Sequence, residues 1–525
     1  MNKPLAGVLG AVTLLLAACG GGGGGGGGGF LPPPIVADPG PGTGADTGRG
    51  SLVSTPPSQV VRLSADQFAS LLKLDAQGRG LLQVAGDPKC GIDLRYMEYR
   101  TVGGKGEATN ATAAVMMPSG TDAACNGPRP IVLYAHGTTT DRNYNIAKFV
   151  DPDNAASGEG ATVAAMFAAR GYIVVAPNYA GYDKSALAYH PYLNGEQNGR
   201  EMVDALAAAR KALPSIGGAS DAGTLLVTGY SQGGYVALAA HREMQATGRP
   251  PTASAPLSAP SAISLLIDAT FLGAPALGGT AFLPLLASSW QQQFGNVYNN
   301  TNDIFEAQYA AGIDTLLPSA TRLPEGRLPQ LALFPADAKP GPANASFALF
   351  YGANNLVRQS FLTQAVNDIA ANPCPGNAFP PTEASLRSAT PINCTPQNGF
   401  RKAAVANDLR NWVPARPILM CGGANDPTVS FNSTRATAGY FNARGVPSGL
   451  VTVVDLEANG TSDAYSAARA GFAQNKAVLA ASTQGSDTDK SLAVIRAYHG
   501  TLVPPFCLAS ARGFFEGVLA AGNPG

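Results

Sequence analysis

The chain has 525 residues, enough for one large domain with an elaboration or for two to three smaller ones. Lys+Arg and Asp+Glu balance at 35 each with no long basic run, which argues against nucleic acid as a partner and against an acidic tail. Charged residues make up only 13%, well below the usual quarter, and 63 Gly with 41 Pro imply many turns and loops.

The first residues bear on the compartment. Lys3 supplies a short positive stretch, residues 5–17 an apolar one too short to cross a bilayer, and Leu16-Ala17-Ala18-Cys19 closes it with small residues. The pattern resembles a bacterial lipobox, which implies a signal peptide over 1–18 and a lipid on the Cys19 thiol. Residues 20–29 are an unbroken glycine run, and the stretch to Pro57 is rich in Pro, Gly and Thr, so 19–58 reads as the lipidated cysteine and a flexible tether. By resemblance to other lipoproteins, Gly20 in place of Asp implies the outer membrane. No later stretch has eighteen or more apolar residues in a row, so a soluble body is expected, touching the membrane through its lipid alone.

Six further cysteines, Cys90, Cys125, Cys374, Cys394, Cys421 and Cys507, favour three disulfides in an exported chain. Spacing alone permits many pairings. Pairing by neighbourhood gives Cys90 with Cys125, Cys374 with Cys394, and Cys421 with Cys507. None has the paired C-x-x-C spacing of a zinc site, and no metal is expected.

In chain order, residues 60–82 carry an amphipathic helical pattern. Residues 94–101 and 108–117 alternate as strands around a Gly103-Gly104 turn, and 131–135 form a continuous apolar strand that reads as buried on both faces. That strand runs into His136-Gly137-Thr138-Thr139-Thr140. A helix over 159–169 closed by Gly171, a strand over 172–176 and a helix from about 199 to 213, before Pro214, follow. Next comes the strand 225–228, then Gly229-Tyr230-Ser231-Gln232-Gly233-Gly234, then a helical pattern over 235–245.

Strand, tight turn and helix with one serine at the apex is the arrangement of a nucleophile elbow, in which glycines remove Cβ atoms that would clash and the hydroxyl stands above the sheet. Ser231 is therefore the candidate nucleophile. The bland alternative is a glycine-rich loop that happens to hold a serine.

Beyond Pro256 the strand and helix alternation breaks. Residues 260–413 hold apolar clusters, many prolines and both tryptophans, Trp290 and Trp412, and read as a cap or lid inserted into the core. The core parts are then 59–259 and 414–525. The second begins with a strand over 417–421 and Gly422-Gly423-Ala424-Asn425-Asp426-Pro427, and includes a last sheet strand over 450–456. Residues 457–490 are polar and alanine-rich, His499 follows in a loop, and a helix closes the chain around 509–519. Apolar strands alternating with helices indicate an α/β fold with a mostly parallel central sheet flanked by helices.

A serine hydroxyl needs a positioned base, usually histidine held by a carboxylate. Of four histidines, His136 lies in a glycine-punctuated loop, His241 within the helix after the elbow, and His190 in a Tyr-His-Pro-Tyr turn before the nucleophile. His499 is the candidate base, with His190 the runner-up. Asp426, just past a strand end, is the candidate acid, with Asp455 and Asp463 as competitors; its plain alternative is a turn or helix cap.

The order Ser231, Asp426, His499, the elbow motif and the large insertion before the acid resemble the secretory lipase family, the lipase A type of α/β-hydrolase. The resemblance spans roughly residues 90–520. It implies hydrolysis of carboxylic esters, often lipids, through an acyl-enzyme, without a cofactor. In α/β-hydrolases a His-Gly pair after the early strand shapes the loop whose backbone N–H helps receive the oxyanion; carried over by position, the donors are Thr138 and Gln232. The lipoprotein tether and the long stretch from Asp426 to His499 depart from the family.

Three other readings compete. The same triad serves peptidases of the prolyl-oligopeptidase type, which the Asn-Tyr-Ala-Gly-Tyr stretch at 178–182 resembles, and polyester depolymerases. The third reading is a noncatalytic surface lipoprotein that binds a ligand on a hydrolase scaffold.

Overall fold

The computed structural model describes residues 48–338, 347–460 and 462–522. The expected signal peptide, Cys19, Gly20 and most of the tether lie outside the described residues.

One nine-stranded sheet organises the body. Its strands are β1 (Ser58–Leu63), β2 (Gly91–Val102), β3 (Ala108–Ser119), β4 (Pro128–Ala135), β5 (Ile173–Pro177), β6 (Ser220–Tyr230), β7 (Ala253–Leu257), β8 (Ile418–Gly422) and β9 (Val451–Asp455), in the spatial order β1-β2-β3-β5-β4-β6-β7-β8-β9. The first three are antiparallel to their neighbours and the other six are mutually parallel. The continuous apolar runs of β4 and β5 are buried at both faces, as a parallel sheet covered by helices requires.

Several expected boundaries shift for local reasons. The pattern over 60–82 is not one helix: residues 58–63 pair with β2 as β1, and two helices follow, α1 (Ala65–Leu72) and α2 (Ala76–Ala85). Ser64 and Gln67 form a reciprocal capping box and Asp75 accepts from the Gly78 N–H, so two separate helix starts override the single apolar period. Next come α3 (Ser157–Met166), α4 (Gly195–Ile216) and α5 (Gln232–Ala246). Helix α4 starts earlier than expected because Asn194 caps it, and it runs through Pro214, which lies in the last turn.

Strand β7 carries almost no strand signal in Ala253-Ser254-Ala255-Pro256-Leu257, yet it is central. The N–H groups of Ser254 and Ser258 donate to Pro417 and Cys421 across the β8 side, and Pro256 between them has no N–H to give.

After β7 the chain leaves the sheet and returns at β8. The intervening helices are α6 (Ile263–Phe271), α7 (Gly279–Phe294), α8 (Ala307–Ala310), α9 (Gln359–Ala371), α10 (Glu383–Leu386) and α11 (Gly399–Asn407). Phe271, Phe361, Phe400 and Trp290 meet edge to face here. Beside them the buried Arg401 guanidinium lies 2.8 Å from Asp268 and 2.7 Å from Asp368.

The remaining helices are α12 (Asn432–Ala443), α13 (Ser466–Ser482), α14 (Asp487–Ala497) and α15 (Val503–Ala520). The polar, alanine-rich stretch thus contains α13 and runs into α14, which packs against it. The run from α14 to α15 is long and apolar enough to cross a membrane, but α15 packs on β7 and β8 as a core helix. Disulfides join Cys90 to Cys125, Cys374 to Cys394 and Cys421 to Cys507, the neighbourhood pairing. Three disulfides suit an extracytoplasmic protein.

Candidate active site

Ser231 sits between β6 and α5 with φ 66° and ψ −123°, a conformation that costs a non-glycine residue on the order of 1–3 kcal/mol. Its neighbours show why the turn holds. A Cβ on Gly233 would lie 1.9 Å from the Ala135 carbonyl oxygen, and one on Gly234 would lie 2.4 Å from that of Leu257. Only glycine lets α5 start this close to β4 and β7. The Ser231 N–H donates to Leu257 O at 2.9 Å, which ties the apex to the end of β7.

Three of the residues singled out above form one hydrogen-bonded row. Ser231 Oγ is 2.5 Å from His499 Nε2, and His499 Nδ1 is 2.6 Å from Asp426 Oδ2. A carboxylate can only accept, so Nδ1 carries the proton and Nε2 accepts from the hydroxyl. Asp426 Oδ1 accepts from the N–H groups of Thr428 and Val429 at 2.9 and 3.1 Å, so its turn-cap contacts and its contact with His499 coexist on different oxygens. The row is shielded from water: Ser231 is 2% exposed, His499 3% and Asp426 8%.

His499 lies not in a loop but in a single π-helical turn, Tyr498–Leu502, between α14 and α15. Such turns recur at functional sites because the extra residue redirects a side chain. The Tyr230 hydroxyl donates to the His499 carbonyl oxygen at 2.6 Å, an anchor that sequence reasoning missed although Tyr230 adjoins Ser231.

The competitors stand elsewhere. Asp455 accepts from the N–H groups of Ala424 and Glu457, and Asp463 pairs with Arg469 at 2.6 Å. His241 bonds Ser254 Oγ at 2.8 Å, and burial pushes its imidazole down to about 3. His190 likewise falls to about 3 through burial, and its Nε2 is 2.6 Å from the Gln232 side-chain amide nitrogen. His136 stacks on Tyr179 with ring centres 4.1 Å apart, and burial lowers its pKa too.

Gln232 is the first residue of α5, where backbone N–H groups have no partner within the helix, and Thr138 lies beyond the end of β4. Between β4 and Thr138, the Gly137 N–H donates to Glu159 at 2.9 Å. The same carboxylate accepts from the hydroxyls of Tyr134 and Tyr144, each at 2.7 Å. Nothing in the spacing of these four residues announced the contact. Among the described residues no group of His, Cys, Asp or Glu side chains clusters to hold a metal ion.

A mixed, mostly parallel sheet flanked by helices, with a serine elbow between a central strand and its helix, is the α/β-hydrolase fold. The closeness extends over nearly the whole chain for the rice cell wall degrading esterase LipA from Xanthomonas oryzae. The match has a TM-score of 0.63 at 23% identity and covers 89% of this chain and 98% of that one. Candida antarctica lipase A is more distant, with a TM-score of 0.43, 12% identity and coverage of 78% of this chain and 77% of that one. The prolyl oligopeptidase family matches residues 160–247, a stretch that includes Ser231. No curated protein matches the chain.

Proposed function

We propose that the protein is a serine hydrolase of carboxylic esters that works through an acyl-enzyme on Ser231. The observation that carries this reading is the row Ser231 Oγ, His499 Nε2 and Nδ1, Asp426 Oδ2, with spacings of 2.5 and 2.6 Å. In the proposed reaction His499 Nε2 takes the Ser231 proton as Oγ bonds to the ester carbonyl carbon, and Asp426 stabilises the resulting imidazolium. The N–H groups of Thr138 and Gln232 receive the oxyanion. Collapse breaks the bond to the alcohol oxygen, which leaves with the proton from His499. Water, deprotonated by the same nitrogen, then attacks the acyl carbon; the bond from that carbon to Ser231 Oγ breaks, Oγ recovers its proton from His499, and the acid is released.

The residues 260–413 are proposed as the cap over this site, its apolar clusters supplying an acyl-lining surface. A lipid on Cys19 would tether the body to the outer membrane. The ester-cleaving structural neighbour supports an ester substrate. The prolyl oligopeptidase match favours a second reading, a serine peptidase with the same row of residues.

Hydrolysis of p-nitrophenyl esters from acetate to palmitate, beside aminoacyl-amide substrates, tests both. Ester cleavage that disappears in Ser231→Ala is expected. Unchanged ester cleavage in the folded variant overturns the proposal, and amide cleavage without ester cleavage moves it to the peptidase. A long-chain optimum would assign a lipase, and a short-chain one an esterase or depolymerase.

A further inference from the structure

The Tyr-His-Pro-Tyr turn is not used by the reaction above, yet the segment that carries it reaches both candidate oxyanion donors. Three tyrosine hydroxyls from this segment meet nearly consecutive residues of the loop after β4. Tyr179 OH donates to His136 O at 3.0 Å, Tyr182 OH donates to Thr139 O at 2.7 Å, and Tyr192 OH lies 2.9 Å from Thr138 Oγ1. On its other side His190 meets the Gln232 side chain.

The direction of that last contact follows from chemistry. His190 Nδ1 is 2.9 Å from Ala180 O, and a carbonyl can only accept, so Nδ1 bears the proton. Burial pushes the His190 imidazole down to about 3, so near neutral pH the ring holds one proton and Nε2 is an acceptor. The Gln232 amide NH2 must then be the donor.

The segment itself is held rigidly. Tyr179, Tyr182, His190 and Tyr192 are at most 1% exposed. The Ala180 N–H donates to the buried Glu201 carboxyl at 2.6 Å, and a Cβ on Gly181 would lie 2.3 Å from Tyr189 O, so the two limbs of the segment touch only because residue 181 is glycine. Tyr179, Asp183 and Leu193 adopt φ of 63°, 48° and 48°, left-handed values unusual for such residues and maintained by these surroundings.

We infer that residues 179–192 form a positioning element that holds both oxyanion donors in register, with Tyr192 fixing Thr138 and His190 fixing Gln232. The inference rests on the proposed serine hydrolase reading and adds to it two positioning residues. Donors matter in proportion to how well they are aimed at the tetrahedral oxygen, so loosening either should lower the rate while leaving substrate binding nearly unchanged.

The test compares Tyr192→Phe, His190→Asn and His190→Gln with the parent and with Ser231→Ala, on one p-nitrophenyl ester and against an alkylboronic acid, whose serine adduct is tetrahedral. Asparagine can keep the bond to Ala180 O but falls short of Gln232, whereas glutamine can reach Gln232. Tyr192→Phe and His190→Asn are expected to lower kcat about ten- to a hundredfold with KM within about twofold, and to weaken boronate inhibition by a similar factor. His190→Gln should recover most of the His190→Asn loss. Unchanged kcat in folded Tyr192→Phe and His190→Asn, or a fall in kcat with unchanged boronate affinity, overturns the inference. If His190→Asn does not fold, Tyr192→Phe decides. Full activity in Ser231→Ala would instead overturn the hydrolase reading beneath it, so the two failures are separate.

Discussion

Cys421 and Cys507 are bonded across 86 residues of sequence, with Cα atoms 5.5 Å apart. The bond ties the strand that leads into Asp426 to the helix that follows His499, so one covalent link joins the segments bearing the proposed acid and base. Chain-entropy reasoning for a loop of this length gives about 4.6 kcal/mol of stability. The Cys421→Ala/Cys507→Ala double variant should lose about that much unfolding free energy in urea titrations and show a several-fold lower kcat at temperatures where it is still folded. Replacing Cys90 and Cys125 in the same way, at the far side of the sheet, should reduce stability with little change in kcat. Equal kcat losses from both pairs would show that the Cys421–Cys507 bond does not act on the site.

Glu201 makes stability depend on pH. Its carboxyl is buried within α4, accepts from Ala180 N–H, Gln197 Nε2 and Tyr99 OH at 2.6, 2.8 and 3.3 Å, and is pushed up to about 7 by burial. An acid whose folded pKa exceeds its unfolded value binds more protons when folded, so the contribution of Glu201 to stability is fully present below about pH 4.5 and is lost as pH rises to about 7. The fall amounts to about 3 kcal/mol for a displacement of this size. Asp204 on the same helix, also raised by burial, acts in the same direction. The buried, neutral imidazoles of His136, His190 and His241 act in the opposite direction, because burial lowers their pKa values. In urea unfolding from pH 5 to 8, the free energy of Glu201→Gln should therefore gain about 3 kcal/mol relative to the parent, and a pH-independent difference would show that Glu201 does not titrate in this range.

The parts of the fold that follow from local chemistry were readable in advance. The apolar runs of β4, β5 and β8 and the glycines around Ser231 announce themselves because burial on two faces and close backbone approach leave few residue choices. Strand β7 did not, since Ala253, Ser254, Ala255 and Pro256 resemble a loop until β6 and β8 flank them. Residues 60–82 misled because capping by Ser64 and Asp75 outweighs an apolar period. At the site, Ser231, Asp426 and His499 were selected by their order along the chain, and the structure brings them within hydrogen-bonding distance. Tyr230, Glu159 and Tyr192 escaped notice because their contacts join segments remote in sequence or, for Tyr230, depend on the π turn around His499.

Glu159 anchors the loop that leads to Thr138 through the Gly137 N–H and two tyrosine hydroxyls. In Glu159→Leu all three donors lose their carboxylate partner, and each unsatisfied buried group costs on the order of 1–3 kcal/mol. Glu159→Gln keeps one carbonyl oxygen for Gly137. The leucine variant should lose more than tenfold in kcat along with stability, and the glutamine variant should stay within a few-fold of the parent. Steady-state kinetics on a short ester, with melting curves beside them, checks both. Identical kinetics in leucine and glutamine variants would remove Glu159 from the support of this loop.

Arg401 is the ionic centre of the segment between β7 and β8. It is 1% exposed and pairs with Asp268 and Asp368, while its guanidinium also donates to Asn372 O. Burial holds the Asp268 carboxyl above its ordinary range even with the arginine present, whereas Asp368, supported by the N–H groups of Gln397 and Asn398 and by Arg401, stays below it. Removing one partner of a buried pair leaves uncompensated charge, and Arg401→Met should cost about 3–5 kcal/mol. Without the cation both carboxyls gain protons more readily in the folded state, so the deficit should grow as pH rises from 5 to 8. Arg401→Met/Asp268→Asn/Asp368→Asn, which removes the stranded charges, should recover part of the stability and flatten that dependence. A deficit in the single variant that is the same at pH 5 and pH 8 would mean that lost packing of the arginine, rather than the stranded buried carboxylates, is what the substitution costs.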